Sequence, residues 1–304
     1  MSTPITSVRS ASGSGTLSSR LSDYLEITKP RISVMVLVTV SVGFALGSFG
    51  HWDPVTLLHA VFGIALVATA SSAFNQVLER NSDAMMRRTS DRPIPSGRMS
   101  ATEVAMFGAA CGIVGSAWLL LFVNTTTAAL TAMTFVLYVC AYTPLKSRSY
   151  LCTTIGAIPG ALPPVLGWTA AGAPLDARPL ALFGILFLWQ FPHFLAIAYR
   201  HREDYERAGL KMLPGNGIPK VVGWMAICYA LLLLPVSLMP SAVSLAGVGY
   251  FSTAIVLGIG YVIASIRFMQ NESRQTARAL ILTSLVYLPV LLLVLTWDHF
   301  SLLQ

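Results

Sequence analysis

Nine long apolar stretches, at 32–49, 55–74, 104–123, 128–142, 153–171, 180–198, 221–239, 243–266 and 280–297, alternate along the chain with short polar segments. A helix needs about 20 apolar residues to cross the hydrocarbon core of a bilayer, and most of these runs approach that length. They are continuous rather than alternating, which argues against the strands of a membrane barrel. The pattern therefore predicts an all-α, polytopic membrane protein with nine transmembrane helices around a central cavity. The fifth run contains GAIPGALPPVLGW at 156–168. Pro159, Pro163 and Pro164 remove backbone donors there. Irregular backbone at membrane depth is tolerated where it is buried or lines a cavity, so this helix is expected to be bent and cavity-lining. Residues 1–22 are rich in Ser and Thr with no acid before Asp23, and are expected to be a disordered cytoplasmic tail. Residues 23–304 are expected to form the single nine-helix domain.

Composition agrees with the pattern. Of 304 residues, 55% are hydrophobic and only 11% charged, which excludes an ordinary soluble domain and a disordered chain. The net charge of +7 raises the question of nucleic acid, and position answers it. With the N-terminus inside, the inner segments hold every Lys and Arg except Arg178. Such asymmetry places the N-terminus in the cytoplasm and makes the basic charge topological and catalytic; no nucleic-acid partner is expected. Cys111, Cys140, Cys152 and Cys228 lack metal-ligand spacing and are read as free thiols.

The inner polar segments carry the candidate chemistry. After the second run the chain reads NQVLERNSDAMMRRTSDRPIPSG at 75–97. Asn75, Glu79 and Asp83 stand four residues apart, so one helix face presents an amide oxygen and two carboxylates within an arc of about 80°. Hard oxygen donors of this kind suit Mg²⁺, which is typically held by one or two carboxylates plus substrate phosphates. Arg87, Arg88 and Arg92 follow, with the fork geometry that grips phosphate. A second inner segment, YTPLKSRSY at 142–150, offers Tyr142, Lys146 and Arg148 as a further clamp. The sixth run, FLWQFPHFLAIAYRHREDYERAG at 187–209, buries Gln190 and His193 and ends on Arg200, Arg202, Glu203 and Asp204. Intramembrane polar groups are costly and mark functional interiors. On one continuous helix, His193 would lie about 16 Å from Asp204. Two acidic groups on one membrane face, surrounded by cations, point to a diphosphate held by Mg²⁺. A small-solute transporter would also use intramembrane prolines and polar groups, yet it has no need of two Mg²⁺-competent clusters on one face.

The segment NQVLERNSD resembles the first Asn/Asp-rich motif of the UbiA-type intramembrane prenyltransferases, N-x-x-x-[DE]-x-x-x-D. The segments ERNSDAMMRRTSDRPIPSGR, YTPLKSRS, GAIPGALPPVLGW and WQFPHFLAIAYRHREDYERAGLKMLP together resemble the haem-farnesylating members of that family. The resemblance runs from about residue 25 to the C-terminus. It implies Mg²⁺ as cofactor, with Asn75, Glu79 and Asp83 at a first metal–diphosphate site and Glu203 and Asp204 at a second. His193 stands near the place where the wider family begins its second motif with Asp, which makes it a candidate for contacting haem or assisting the chemistry. The implied substrates are haem b and farnesyl diphosphate, taken from the lipid bilayer. The implied product is haem O, passed on to a haem A synthase or to terminal oxidase assembly. A quinone or chlorin precursor is the alternative acceptor on the same scaffold. The implied location is a bacterial inner membrane, with the mitochondrial inner membrane as the alternative.

Overall fold

The computed structural model describes residues 17–213 and 220–304, which form helices and turns with no strand among the described residues. Among the described residues, eight helices are long and apolar enough to cross a bilayer. They are α2 (Pro30–Gly47), α3 (Pro54–Met85), α4 (Ala101–Phe122), the continuous run Thr125–Leu145, α9 (Ala177–Arg200), α11 (Val221–Ala242), α12 (Val248–Gln270) and α13 (Arg274–Leu302). The run Thr125–Leu145 is built from α5 (Thr125–Val136), a π-helical turn (Leu137–Tyr142) and a last turn, α6 (Thr143–Leu145).

The fifth apolar run folds differently from its neighbours. It forms two short helices, α7 (Cys152–Ala161) and α8 (Pro163–Ala170), divided at Leu162. The physical reason is local: Pro163 and Pro164 cannot donate to the carbonyls one turn before them. α8 is nevertheless buried throughout and lies in backbone contact with α2. A Cβ at Gly167 would come within 1.8 Å of the Val40 carbonyl oxygen, and one at Gly43 within 1.9 Å of that of Pro164. Only glycine permits this approach, which is how a lipid-soluble chain packs helices without a hydrophobic driving force between them.

Polar links start the long helices. Asp53, Ser100, Asn124, Asp176 and Ser273 each accept a hydrogen bond from the first turn of the helix that follows. Apolar cores lie between α9, α11, α12 and α13, around Leu182, Ile185, Tyr250, Tyr261 and Leu291, and between α2, α3 and α8, around Val40, Phe44, Ile64 and Leu166. Large apolar side chains also point outward, Ile113, Leu121 and Val248 among them. In water that surface would be an aggregation hazard, and in lipid it is the solvated face. The chain is a membrane protein.

Residues 1–16 of the expected tail lie outside the described residues. The remainder of that stretch opens α1 (Leu17–Ile27), so helix begins before the expected boundary. It is tied down by ion pairs: Arg20 reaches Glu103 at 3.1 Å, and Arg98 binds Asp23 and, at 2.8 Å, Glu26. At its end the Ile27 carbonyl accepts from Ser72 Oγ at 2.7 Å and Gln76 Nε2 at 3.3 Å, which pins the α1–α2 link against α3.

Candidate active site

α3 is the longest helix of the described chain. At 1.5 Å per residue its 32 residues span about 48 Å, well beyond a hydrocarbon core of about 30 Å. Asn75 falls about 32 Å from Pro54, so the stripe Asn75, Glu79, Asp83 occupies the turns where the helix leaves the apolar layer. The chain then reverses at Met86, and the loop 86–99 folds back over the helix end. Thr89 Oγ donates to the Asp83 carbonyl at 2.9 Å, and Gly97, at φ +76°, supplies the left-handed turn that starts the return. This reversal brings Arg92 Nη1 to 2.6 Å from Asp83 Oδ2.

A second cation arrives from the end of α6. Lys146 Nζ lies 2.6 Å from Glu79 Oε1, a close charge contact that is not aligned as a hydrogen bond. It also sits 4.5 Å above the Tyr142 ring. Tyr142 belongs to the π-helical turn, and its ring rests on the bare backbone of Gly156, where a Cβ would come within 2.5 Å. π-turns recur at functional sites because they re-aim side chains. Here the turn carries Tyr142, and the next residue, Thr143, accepts from Asn75 Nδ2 at 3.3 Å.

The third cation was not legible as a site residue. Lys29 Nζ donates to Asn75 Oδ1 at 2.8 Å. Lys29 adopts φ 49°, ψ 60°, the left-handed region, which costs a side-chain-bearing residue about 1–2 kcal/mol and persists where the surroundings over-determine it. Burial, with the nearby Arg92 and Lys146 cations, pushes the Lys29 ammonium down to about 7. Three cations thus crowd two carboxylates and an amide.

The donor set fits a small hard dication. Asn75 and Asp83 are each 1% exposed, and Asp83 Oδ1 is buried with no hydrogen-bond partner. A buried carboxylate oxygen without a partner is rare in native proteins and marks a place where an ion or polar ligand belongs. Among the described residues no three His, Cys, Asp or Glu side chains gather as a metal-binding group. The stripe therefore offers an incomplete shell, of the kind that substrate phosphates complete.

The second acidic group is arranged differently. α9 ends at Arg200, His201 interrupts the helix at φ −109°, ψ 18°, and a separate short helix, α10 (Arg202–Arg207), follows. The axial spacing expected from His193 to Asp204 therefore does not apply, and only about 10 Å of continuous helix follows His193. Glu203, 60% exposed, turns outward to Arg274 at 2.8 Å, and Asp204 accepts from Arg207 at 3.3 Å. Arg202 stacks over Tyr199 at 4.6 Å, while Arg148 and Arg200 are exposed. Burial and the neighbouring Arg88 and Arg200 cations hold His201 below the ordinary imidazole value, a sign of how basic this rim is. Arg87 is exposed; Arg88 reaches across to Tyr205 at 3.5 Å. Together with the Lys211 amide, which donates to the Lys146 carbonyl at 2.7 Å, this contact ties the α9–α10 rim to the α3 stripe.

Deeper in the bundle, His193 Nδ1 is 2.6 Å from Ser284 Oγ, and its ring stacks on Trp189 with centroids 5.2 Å apart. Ser284 lies 2.6 Å from the Ile281 carbonyl, to which its hydroxyl donates, so His193 donates from Nδ1 and keeps the Nε2 lone pair. Gln190 is structural. Its Nε2 donates to the Ala157 carbonyl at 2.8 Å and joins α9 to the proline-broken α7.

A helical membrane bundle with a buried acid–amide stripe beside a basic rim has the donors and cations that an intramembrane enzyme acting on a phosphorylated substrate requires. The chain belongs to the UbiA prenyltransferase family, whose sequence pattern matches residues 36–297, and it is a prenyltransferase. It is 43% identical over 298 residues to the protoheme IX farnesyltransferase of Koribacter versatilis, covering 93% of this chain and 95% of that protein. It is 40% identical over 279 residues to that of Solibacter usitatus, covering 88% and 96%. Solved structures share the fold. A digeranylgeranylglyceryl phosphate synthase superposes with TM-score 0.79 at 17% identity, over 93% of this chain and 99% of that one. A UbiA homolog from Archaeoglobus fulgidus bound to GPP and Mg²⁺ superposes with TM-score 0.62 at 18% identity, over 90% and 99%.

Proposed function

We propose that the protein transfers a farnesyl group from farnesyl diphosphate to a vinyl group of haem b, with addition of water, to give haem O and diphosphate. The reading rests on one observation above the others: the paired cations and the partnerless Asp83 oxygen on the Asn75–Glu79–Asp83 stripe, in a chain whose relatives are named for protoheme IX farnesylation. Asn75, Glu79 and Asp83 would hold Mg²⁺ at the end of α3. Bound there, Mg²⁺ would supply Lewis-acid neutralisation of the charge on a departing diphosphate. Lys146 and Arg92 would bind phosphate oxygens, and the exposed Arg87, Arg88, Arg148 and Arg200, with the half-buried Arg202, would form the basic rim that draws the anion in.

Ionisation breaks the bond between the farnesyl C1 carbon and the diphosphate oxygen, and the leaving group keeps the electron pair. The allylic cation needs shelter from water until the vinyl carbon attacks, and the apolar interior between the helices provides it. The vinyl terminus then forms the new carbon–carbon bond, and positive charge appears on the ring-attached vinyl carbon. Water adds there and loses a proton. Tyr142, held under Lys146 against Gly156, would line the reacting end of the diphosphate, and His193 Nε2, with its lone pair free, would meet haem on the membrane side. Both substrates partition into lipid, so entry is from the bilayer. The basic ends of the helices would face the cytoplasm of a bacterial inner membrane. Incubation of purified protein with haem b, farnesyl diphosphate and Mg²⁺ should yield a haem heavier by one farnesyl group and one hydroxyl. A product lacking the hydroxyl, or farnesylation of a quinone precursor with haem untouched, would overturn the reading.

A further inference from the structure

Three cations sit one to one on the three donors of the stripe. Lys29 Nζ is 2.8 Å from Asn75 Oδ1, Lys146 Nζ 2.6 Å from Glu79 Oε1, and Arg92 Nη1 2.6 Å from Asp83 Oδ2. They come from three separate parts of the chain: the α1–α2 link, the end of α6 and the loop after α3. Only two of the donors are anionic, so the cluster is richer in positive than in negative charge where Asn75 and Asp83 are almost wholly shielded. A surplus of like charge in a shielded place is unfavourable until a counter-ion arrives.

The positions of the cations matter as much as their number. Each sits on one oxygen of a residue that would take the metal, with Asp83 Oδ1 left without a partner, and two cations brought this close repel. A dication entering alone would have to crowd or displace them. A diphosphate entering alone would draw them away and leave Glu79 and Asp83 facing a ligand of their own sign. Entry of both together leaves no group unpaired, because the cations move to phosphate oxygens while the carboxylates take the metal.

We infer that Lys29, with Lys146 and Arg92, is an exchangeable counter-ion of this site: without ligand it holds a metal-donor oxygen, and it passes to the diphosphate when metal and diphosphate bind together. The inference rests on the metal–diphosphate reading above and adds to it a residue, Lys29, and a coupling. Lys29 suits the part because its backbone is held, by the left-handed conformation and by the Ser72 and Gln76 bonds to the nearby Ile27 carbonyl, while its unbranched stem has the rotatable bonds to carry the ammonium from one oxygen to another. By linkage, metal and diphosphate then raise each other's affinity.

The test uses the full-length protein in detergent, Mn²⁺ followed by electron paramagnetic resonance, and inorganic pyrophosphate. A Glu79→Gln/Asp83→Asn variant measures the part of the signal that belongs to manganese pyrophosphate in solution. Wild-type protein should bind Mn²⁺ weakly alone and much more tightly with pyrophosphate. Lys29→Met, which keeps the stem and removes the charge, should bind Mn²⁺ alone about tenfold more tightly or better, and should gain less from pyrophosphate by a similar factor. Lys29→Arg should behave as wild type. If Lys29→Met does not fold, Lys29→Gln is read in the same titration. Wild-type coupling that persists unchanged in the Lys29 variants overturns the exchange and leaves the metal site standing. Wild-type protein that takes up no Mn²⁺ even with pyrophosphate overturns both.

Discussion

Replacing Asp83 by Asn removes the charge at the partnerless oxygen while keeping the shape of the side chain. Asp83 is 1% exposed, and one of its oxygens already holds Arg92 at 2.6 Å. Two unit charges about 4 Å apart interact by ~4 kcal/mol at an effective dielectric constant of about 20. The folded protein does not lose that whole sum, because the Arg92 side chain is 22% exposed and can recover solvation when its partner is neutralised. A loss of stability of about 1–2 kcal/mol follows, too little to unfold a bundle of this size. The chemical step has no such refuge. One of two carboxylates is gone from the metal's side, so turnover should fall by ~10²-fold or more, equivalent to ~2.7 kcal/mol of lost transition-state stabilisation. Arg92 is meanwhile released toward the anion, so the farnesyl diphosphate KM should not rise in proportion. The assay is haem O formation followed by mass analysis across a Mg²⁺ series, with thermal unfolding in parallel. Near-normal turnover at low Mg²⁺ would refute the assignment of this stripe.

Other expectations follow from the same geometry. Lys146→Ala should raise the farnesyl diphosphate requirement at least about tenfold while leaving the haem requirement nearly unchanged, and Arg148→Ala, exposed beyond the turn, should do less than Lys146→Ala; equal damage to both substrate terms would return Lys146 to a structural role. His193→Ala should abolish haem O formation and alter the absorption spectrum of bound haem without weakening a farnesyl diphosphate analogue; an unchanged spectrum with lowered thermal stability would make His193 a packing residue against Ser284 and Trp189. Gly167→Ala should cost about 2 kcal/mol or more in detergent unfolding, since the new methyl meets the Val40 carbonyl at 1.8 Å; a neutral result would contradict the α2–α8 contact.

The helices and the α3 stripe were legible in the sequence because both depend on local periodicity. An apolar run reports its own length, and residues four apart on a helix share a face whatever surrounds them. Tertiary placement left weaker traces. Lys29 stands before Pro30 with no spacing signature and counted only as an inner charge, yet folding sets it on Asn75. The sequence pointed to the proline-rich interruption, while the fully buried α8 in backbone contact with α2 depends on Gly43 meeting Pro164 and Gly167 meeting Val40, 121 and 127 residues apart in the chain. Glu203 and Asp204 read as a second acidic site from the order of residues, which does not show that His201 ends α9. Once the helix breaks there, Glu203 turns out to Arg274, and cations dominate the rim.

The most direct measurement is a crystal or cryo-EM structure of the protein with Mn²⁺ and a non-hydrolysable farnesyl thiodiphosphate, with the metal located by its anomalous signal where crystals allow. Metal is expected against Glu79 and Asp83, with the Lys29, Lys146 and Arg92 side chains withdrawn from the stripe and resting on phosphate oxygens. Metal held only at Glu203 and Asp204, or a diphosphate bound while all three cations remain on their donors, would contradict that expectation.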